Sequence, residues 1–125
     1  MIEIAQYVEQ FLNDNARQKA TRGTVPDTFN FVPVPDNVED RVQLLRYQLE
    51  HHTMITWVWP DKNDNWKKER MLIVDTFSAS VAVQVYDALS DKNKDTFNDM
   101  LSGRSAAVAW IIEKCFAAIN ATRKG

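Results

Sequence analysis

Glycine is scarce in this chain: its 125 residues contain three, Gly23, Gly103 and Gly125. Dinucleotide-binding fingerprints and phosphate-binding loops need clustered glycines, because the backbone must approach the phosphate closely. The three glycines are too far apart in the sequence to form either motif. A Gly-x-Ser-x-Gly sequence, which marks the nucleophile of many hydrolases, is also absent. The scarcity of glycine therefore argues against the standard nucleotide-binding classes.

Cysteine occurs once and histidine twice. A single cysteine, Cys115, cannot form an intramolecular disulfide, which favours a reducing compartment. It lies in the most apolar segment of the chain, so we predict a buried and inert thiol. The histidines, His51 and His52, are adjacent, and adjacent side chains diverge on a helix and on a strand alike. We interpret them as a polar helix end, where imidazolium interacts favourably with the helix dipole.

Two stretches with Asp or Asn at their first, third and fifth positions, 61–65 and 91–95, resemble the start of a calcium-binding loop. Neither stretch meets the two strictest requirements of that motif, because the sixth position is not glycine and the twelfth is not glutamate. We interpret them as a hairpin turn and a helix cap. The sequence therefore predicts no metal and no cofactor, and it assigns no catalytic residue.

Long apolar runs and an excess of one charge are also missing. The longest apolar run, 106–112, is seven residues, whereas a membrane-spanning helix needs roughly 18. Lys and Arg number 15 against 17 Asp and Glu, a net charge of −2. The first residues show neither the basic nor the apolar region of a signal peptide. We expect a cytoplasmic chain without membrane contact, folded as one domain over 1–125.

Helical patterns dominate the chain outside its middle section. Apolar spacing predicts a first helix over 2–16 and a second that begins at Asp36 or Asn37 and ends near His51 or His52. Between them, prolines leave room for one short edge strand over 29–32. The last third predicts a helix from Ser78 or Ser80 to about Leu89, with a strand as the alternative because of alternating valines. Further helices are predicted from Ser90 or Asp91 to Gly103 and over 104–122.

Residues 53–76 predict a β-hairpin with its turn at 61–64. In this register Trp57 lies opposite Lys68. One face then carries the aromatic and cationic residues Trp57, Trp59, Trp66, Lys68 and Arg70, and the other carries Met54, Val58, Met71 and Ile73. The expected fold is α+β, with four or five helices packed on a small antiparallel sheet built around this hairpin.

The tryptophan face of the hairpin is the most informative feature of the sequence, and three interpretations stay open. Its apolar counterpart could pack against the helices, which would leave Trp57, Trp59, Trp66, Lys68 and Arg70 exposed as a protein-binding patch. Tryptophan beside cations also suits base stacking on single-stranded nucleic acid, although an acidic chain disfavours phosphate binding. In the third interpretation the indoles are simply core, with the cations at its rim.

The final helix is apolar around most of its circumference. Its candidate self-association residues are Val108, Ile111, Ile112, Cys115, Phe116 and Ile119. A helix of this kind lies either at the centre of a domain or at a subunit interface, and we favour a homodimer because the chain is short.

The function predicted from these observations is a small non-enzymatic protein-interaction module that binds a protein partner. Small accessory proteins of phages and mobile elements, including inhibitors that bind a host or assembly protein, often show this profile. The alternative is a single-stranded nucleic-acid-binding protein that uses the Trp-rich hairpin. A third interpretation is a small enzyme whose catalytic groups converge only in the folded chain.

Overall fold

The computed structural model describes residues 3–12, 31–60 and 70–124. Within these ranges the chain forms five helices and three strands and has an α+β fold. In chain order they are α1 (Ile4–Leu12), β1 (Phe31–Pro33), α2 (Val38–His51), β2 (Ile55–Val58), β3 (Met71–Val74), α3 (Thr76–Ala88), α4 (Asp91–Leu101) and α5 (Ser105–Lys124). The number of helices agrees with the prediction. The predicted turn at 61–64 and the end of the predicted first helix lie outside the described residues.

The sheet is mixed, which corrects the antiparallel sheet expected from the sequence. Strand β2 lies in the centre, with β1 parallel to it on one side and β3 antiparallel on the other. Parallel neighbours need a crossover connection rather than a hairpin. Helix α2 provides that connection between β1 and β2, so the predicted edge strand exists but runs in the same direction as its neighbour.

The pairing of β2 with β3 is antiparallel as predicted, but its register is different. Trp57 lies opposite Leu72 rather than opposite Lys68, and Val58 lies opposite Met71. The strands are therefore joined by a longer connection than a tight turn at 61–64. Because the shift is an even number of residues, each side chain of β2 keeps the face that the sequence assigned to it.

Side-chain caps explain where three of the helices begin. The Asn37 side chain accepts a hydrogen bond from the Glu39 N–H at 2.8 Å, and Ser90 Oγ accepts one from Asn93 N–H at 3.3 Å. Both caps were predicted. Helix α3 begins earlier than expected, because Asp75 Oδ1 accepts a hydrogen bond from Ser78 N–H at 2.6 Å. The valine alternation that suggested a strand therefore lies within a helix.

The helices pack on the tryptophan face of the sheet, which reverses the expected arrangement. Trp57 is fully buried and Trp59 is 9% exposed, and both belong to the main hydrophobic core. The cluster of buried residues that includes both indoles contains none of Met54, Val58, Met71 and Ile73, the residues predicted to face the helices. On that other face Val58 is fully buried, whereas Ile73 is 48% exposed. Indole rings carry the largest apolar area available to this sheet, so burying them removes more surface from water.

A buried polar contact accompanies the burial of Trp57. Its Nε1–H donates to Gln48 Oε1 at 2.8 Å, and Gln48 Nε2 donates to the Val74 carbonyl at 2.6 Å. Gln48 is itself fully buried on α2. The indole is thus satisfied inside the core, where an unpaired N–H would be destabilising.

Helix α5 packs against α3 and α4, so much of its apolar surface is used within one chain. Four of the six predicted self-association residues lie in the core: Val108, Ile111, Ile112 and Cys115. Phe116 and Ile119 are partly buried against the same core. Buried side chains offer no surface to a second copy, so this face of α5 is not a free interface. A homodimer stays a prediction and would have to use other residues.

Candidate functional site

The structure separates the residues that were predicted to form one binding patch. Trp57 is enclosed in the core, and its ring centroid lies 6.3 Å from that of Trp59. Burial of both residues agrees with the interpretation in which the indoles are core and contradicts the one in which their rings are exposed. Trp66 and Lys68 lie outside the described residues. Arg70 is half-buried and lies next to Trp59 in the sheet.

Trp59 and Arg70 belong to a cleft at one end of the sheet, which we call the arginine cleft. Its volume is about 280 Å³. Its described lining residues are Val34, Asp36, Arg41, Trp59, Pro60, Arg70, Ser102, Gly103 and Arg104. They come from four places in the chain: the segment after β1, the first turn of α2, the β2–β3 connection and the α4–α5 connection.

Backbone hydrogen bonds continue the sheet by one residue into the cleft. The Val34 N–H donates to the Val58 carbonyl at 2.8 Å, and the Trp59 N–H donates to the Arg70 carbonyl at 2.9 Å. Val34, Trp59 and Arg70 therefore form one row across the three strands. Because side chains alternate along a strand, the side chains of this row lie on the same face of the sheet as Trp57. The row forms the end of the core on that face.

Arg41 lines the cleft from the first turn of α2 and donates hydrogen bonds to three backbone carbonyls. Its Nε donates to the Pro35 carbonyl at 2.6 Å, and its Nη1 donates to the carbonyls of Leu101 and Gly103, each at 2.7 Å. Burial lowers the pKa of the Arg41 guanidinium, and the nearby Asp36 carboxylate opposes that shift. Arginine stays charged in proteins, so the cleft contains a fixed cation.

Gly103 allows the α4–α5 connection to pass close to α5. A Cβ at this position would lie 2.6 Å from the Ala107 Cβ. The glycine was predicted as a helix stop, and it follows Ser102, the C-cap residue of α4. A glycine is needed at position 103 because the packing is close, not because the backbone is left-handed: no glycine in the described residues has a positive φ.

The Trp59 indole N–H is buried and makes no hydrogen bond in the part of the chain that the structure describes. Leaving a buried donor unpaired costs about 1–3 kcal/mol, so such groups are uncommon in native proteins. The same residue lines the cleft.

The cleft is locally cationic although the chain is slightly acidic. Three arginines and one carboxylate line it, whereas the whole chain carries a net charge of −2. Its volume of about 280 Å³ lies just below the roughly 300–1,000 Å³ of pockets that enclose small organic ligands. The cleft therefore suits a single side chain or functional group more than a complete cofactor.

No protein-family model matches this chain, and no curated protein or solved structure is similar to it. A helix that could cross a membrane was not found among the described helices.

Sequence reasoning identified Trp59 and Arg70 but missed Arg41 and Arg104. Arg41 had a visible signal: it lies three residues after Val38 and four before Leu45, within the apolar stripe of α2. A cation on an apolar stripe must find acceptors when that stripe is buried. Arg104 carried no such signal, because it lies in a polar connection between two helices.

The two histidines end α2 as predicted. The His51 ring lies 4.2 Å from the Tyr47 ring, and His52 is the helix C-cap in a left-handed conformation with φ of 49°. Within the described ranges no group of three His, Cys, Asp or Glu side chains could hold a metal ion. That the chain uses no metal stays a prediction.

Cys115 offers a direct test of the core that surrounds α5. Burial raises the pKa of this thiol to about 11. At pH 8 the thiolate, which is the reactive form, would then be about one part in a thousand. We expect iodoacetamide to leave Cys115 unmodified in the folded protein and to label it rapidly in guanidinium, as mass spectrometry would show. Fast labelling without denaturant would contradict the burial of this helix face.

Proposed function

We propose that this protein is a small non-enzymatic interaction module, of the kind that phages and mobile elements use as accessory proteins or inhibitors, and that it binds a protein partner through the arginine cleft. One observation carries the proposal: three arginines and a tryptophan line the same concave site. Arginine and tryptophan are among the residues that contribute most to binding energy at protein interfaces. A cytoplasmic location belongs to the same proposal.

The rigidity of the cleft supports this role. Arg41 is held by three carbonyls, and Trp59 packs within the core. Ordering a mobile side chain on binding costs roughly 0.5–1.5 kcal/mol for each long side chain. Groups that the fold has already positioned avoid that cost, so a partner would gain more affinity from them.

The two alternatives receive less support. Base stacking needs exposed aromatic faces, and Trp57 and Trp59 are both buried. An enzyme needs partnered catalytic groups. The described lining of the cleft has one carboxylate, Asp36, and one hydroxyl, Ser102, whose Oγ donates to the Asp99 carbonyl at 2.8 Å. Neither residue has a histidine or a second carboxylate beside it in that lining.

The proposal is tested by capture of a partner from host lysate with tagged protein, followed by binding measurements on the captured protein. Arg70→Gln and Arg104→Gln each remove one cation from the cleft. Lys92→Gln removes one exposed cation from α4, away from the cleft, and is the matched control. We expect each cleft variant to weaken binding by about tenfold or more, as loss of an interface arginine does, and the control to bind like the wild type.

Two results would contradict the proposal. Capture that disappears after nuclease treatment would favour the nucleic-acid alternative. Equal binding by Arg104→Gln, Arg70→Gln and Lys92→Gln would show that the partner contacts another surface. Circular dichroism of each variant establishes that the fold is retained.

A further inference from the structure

We propose that the arginine cleft recognises a carboxylate, presented by an Asp or Glu side chain in an acidic segment of the protein partner. This inference rests on the proposed function, because it names the chemistry by which that partner would be held. The site combines three cationic side chains with the Trp59 side chain in one small concave space.

The available donors fit a carboxylate. Arg41 uses Nε and Nη1 for backbone carbonyls, while its Nη2 makes no hydrogen bond within the described part of the chain. The guanidinium groups of Arg70 and Arg104 likewise show no hydrogen bond or ion pair there. A guanidinium presents two parallel N–H donors, the spacing that matches the two oxygens of a carboxylate. Trp59 lines the same cleft, and its buried Nε1–H makes no hydrogen bond in the described residues.

Charge favours a carboxylate over a phosphate. Asp36 lines the cleft together with the three arginines, and its carboxylate repels a dianion more strongly than a monoanion. The small volume of about 280 Å³ limits entry to a single side chain.

Burial also favours a bound anion. Arg41 is 6% exposed, its guanidinium donates to neutral carbonyls, and the opposite charge that influences it is the Asp36 carboxylate. A buried cation is stabilised when an opposite charge lies close to it and accepts hydrogen bonds. A carboxylate from the partner would supply both in one contact.

The test follows the four tryptophan indole N–H resonances of ¹⁵N-labelled full-length protein during titration. The probe is a capped hexapeptide rich in glutamate, and a matched peptide with glutamine in place of glutamate is its control. We expect a saturable shift of the Trp59 resonance with the glutamate peptide and none with the glutamine peptide. The Trp57 resonance should not move, because that N–H already donates to Gln48. Trp59→Phe identifies the Trp59 signal.

Variants and competing anions complete the test. Arg104→Gln should weaken peptide binding at least tenfold, and Lys92→Gln should leave it unchanged. Inorganic phosphate and a single-stranded oligonucleotide are titrated in parallel. Stronger binding of either than of the glutamate peptide would overturn the carboxylate assignment. Equal shifts with the glutamate and glutamine peptides, or no saturable shift of Trp59, would overturn it as well.

The failure of this inference can be told apart from the failure of the proposed function. If Arg104→Gln abolishes capture of the lysate partner while the glutamate peptide gives no shift, the cleft binds that partner by other chemistry. If capture is insensitive to Arg104→Gln and Arg70→Gln, the proposed function itself is wrong.

Discussion

Replacing Trp57 by alanine is expected to lower the free energy of unfolding by about 3–5 kcal/mol, the range for deleting a large buried aromatic side chain. The ring is fully buried, and its N–H donates to Gln48. The variant therefore leaves both a cavity and an unpaired buried amide oxygen. Since domains of this kind are stable by about 5–15 kcal/mol in total, the loss is large. Urea denaturation followed by circular dichroism measures it.

Trp110→Ala is the matched control, because it removes the same side chain from an exposed site. Trp110 is 45% exposed, and Lys114 Nζ lies 5.3 Å from its ring centroid. Losing such a surface contact changes stability by about 1 kcal/mol or less. A Trp57→Ala variant as stable as Trp110→Ala would mean that the helices do not pack on the tryptophan face.

The second large effect is expected for Arg41→Ala. This change removes three hydrogen bonds from a charged donor to the carbonyls of Pro35, Leu101 and Gly103. Hydrogen bonds to charged groups contribute about 1.5–3 kcal/mol each, and water entering the cleft would replace part of that. We expect the free energy of unfolding to fall by about 2–4 kcal/mol, measured by denaturant titration. Arg41→Lys should recover only part of the loss, because an ammonium group cannot reproduce the planar fork.

Arg46→Ala provides the comparison on the same helix. Arg46 is bonded to Asp87, with Nη2 and Oδ1 2.6 Å apart, but both side chains are substantially exposed. Exposed ion pairs contribute about 0.2–1 kcal/mol. If Arg41→Ala cost no more than Arg46→Ala, the carbonyl contacts of Arg41 would not support the cleft.

The cleft and the core are parts of one arrangement. Trp57 lies on β2 and Trp59 lies one residue beyond its end, where backbone pairing continues, so the two residues share a face of the sheet. Trp57 lies in the centre of the core, whereas Trp59 lies at its end and borders the arginines. The packing that excludes Trp57 from any partner is therefore the same packing that positions Trp59 beside the cleft.

Local patterns determined most of the helices. Asn37 and Ser90 cap helices where the sequence indicated, and α5 follows the predicted apolar segment closely. These features depend on residues within one or two turns of each other, so local chemistry is sufficient to predict them. The alternation of β2 also assigned each of its side chains to the correct side of the strand.

The order of elements along the chain indicates that two of the strands are parallel neighbours. A strand, a helix and another strand follow each other between residues 31 and 58, an order typical of parallel pairing. The prediction instead grouped all strands around the 53–76 hairpin. The register of β2 with β3 could not be predicted from the sequence either, because it depends on the length of the connection between the two strands.

Only the tertiary structure decided which face of the sheet the helices cover. Both faces of the hairpin are rich in apolar residues, so the hydrophobic pattern along the strands does not indicate which face is covered by the helices. The outcome depends on long-range contacts, among them Gln48 of α2, which accepts the Trp57 N–H across the core.

The arginine cleft is the feature that the sequence by itself could least reveal. Arg41, Arg70 and Arg104 come from three separate segments and share no motif or spacing. They meet because α2 and the α4–α5 connection are held together by the Arg41 hydrogen bonds at the end of the sheet. Composition and periodicity determined what kinds of elements this chain forms. Packing between distant segments determined where its charges converge, since a site of this kind exists only when those segments are brought together.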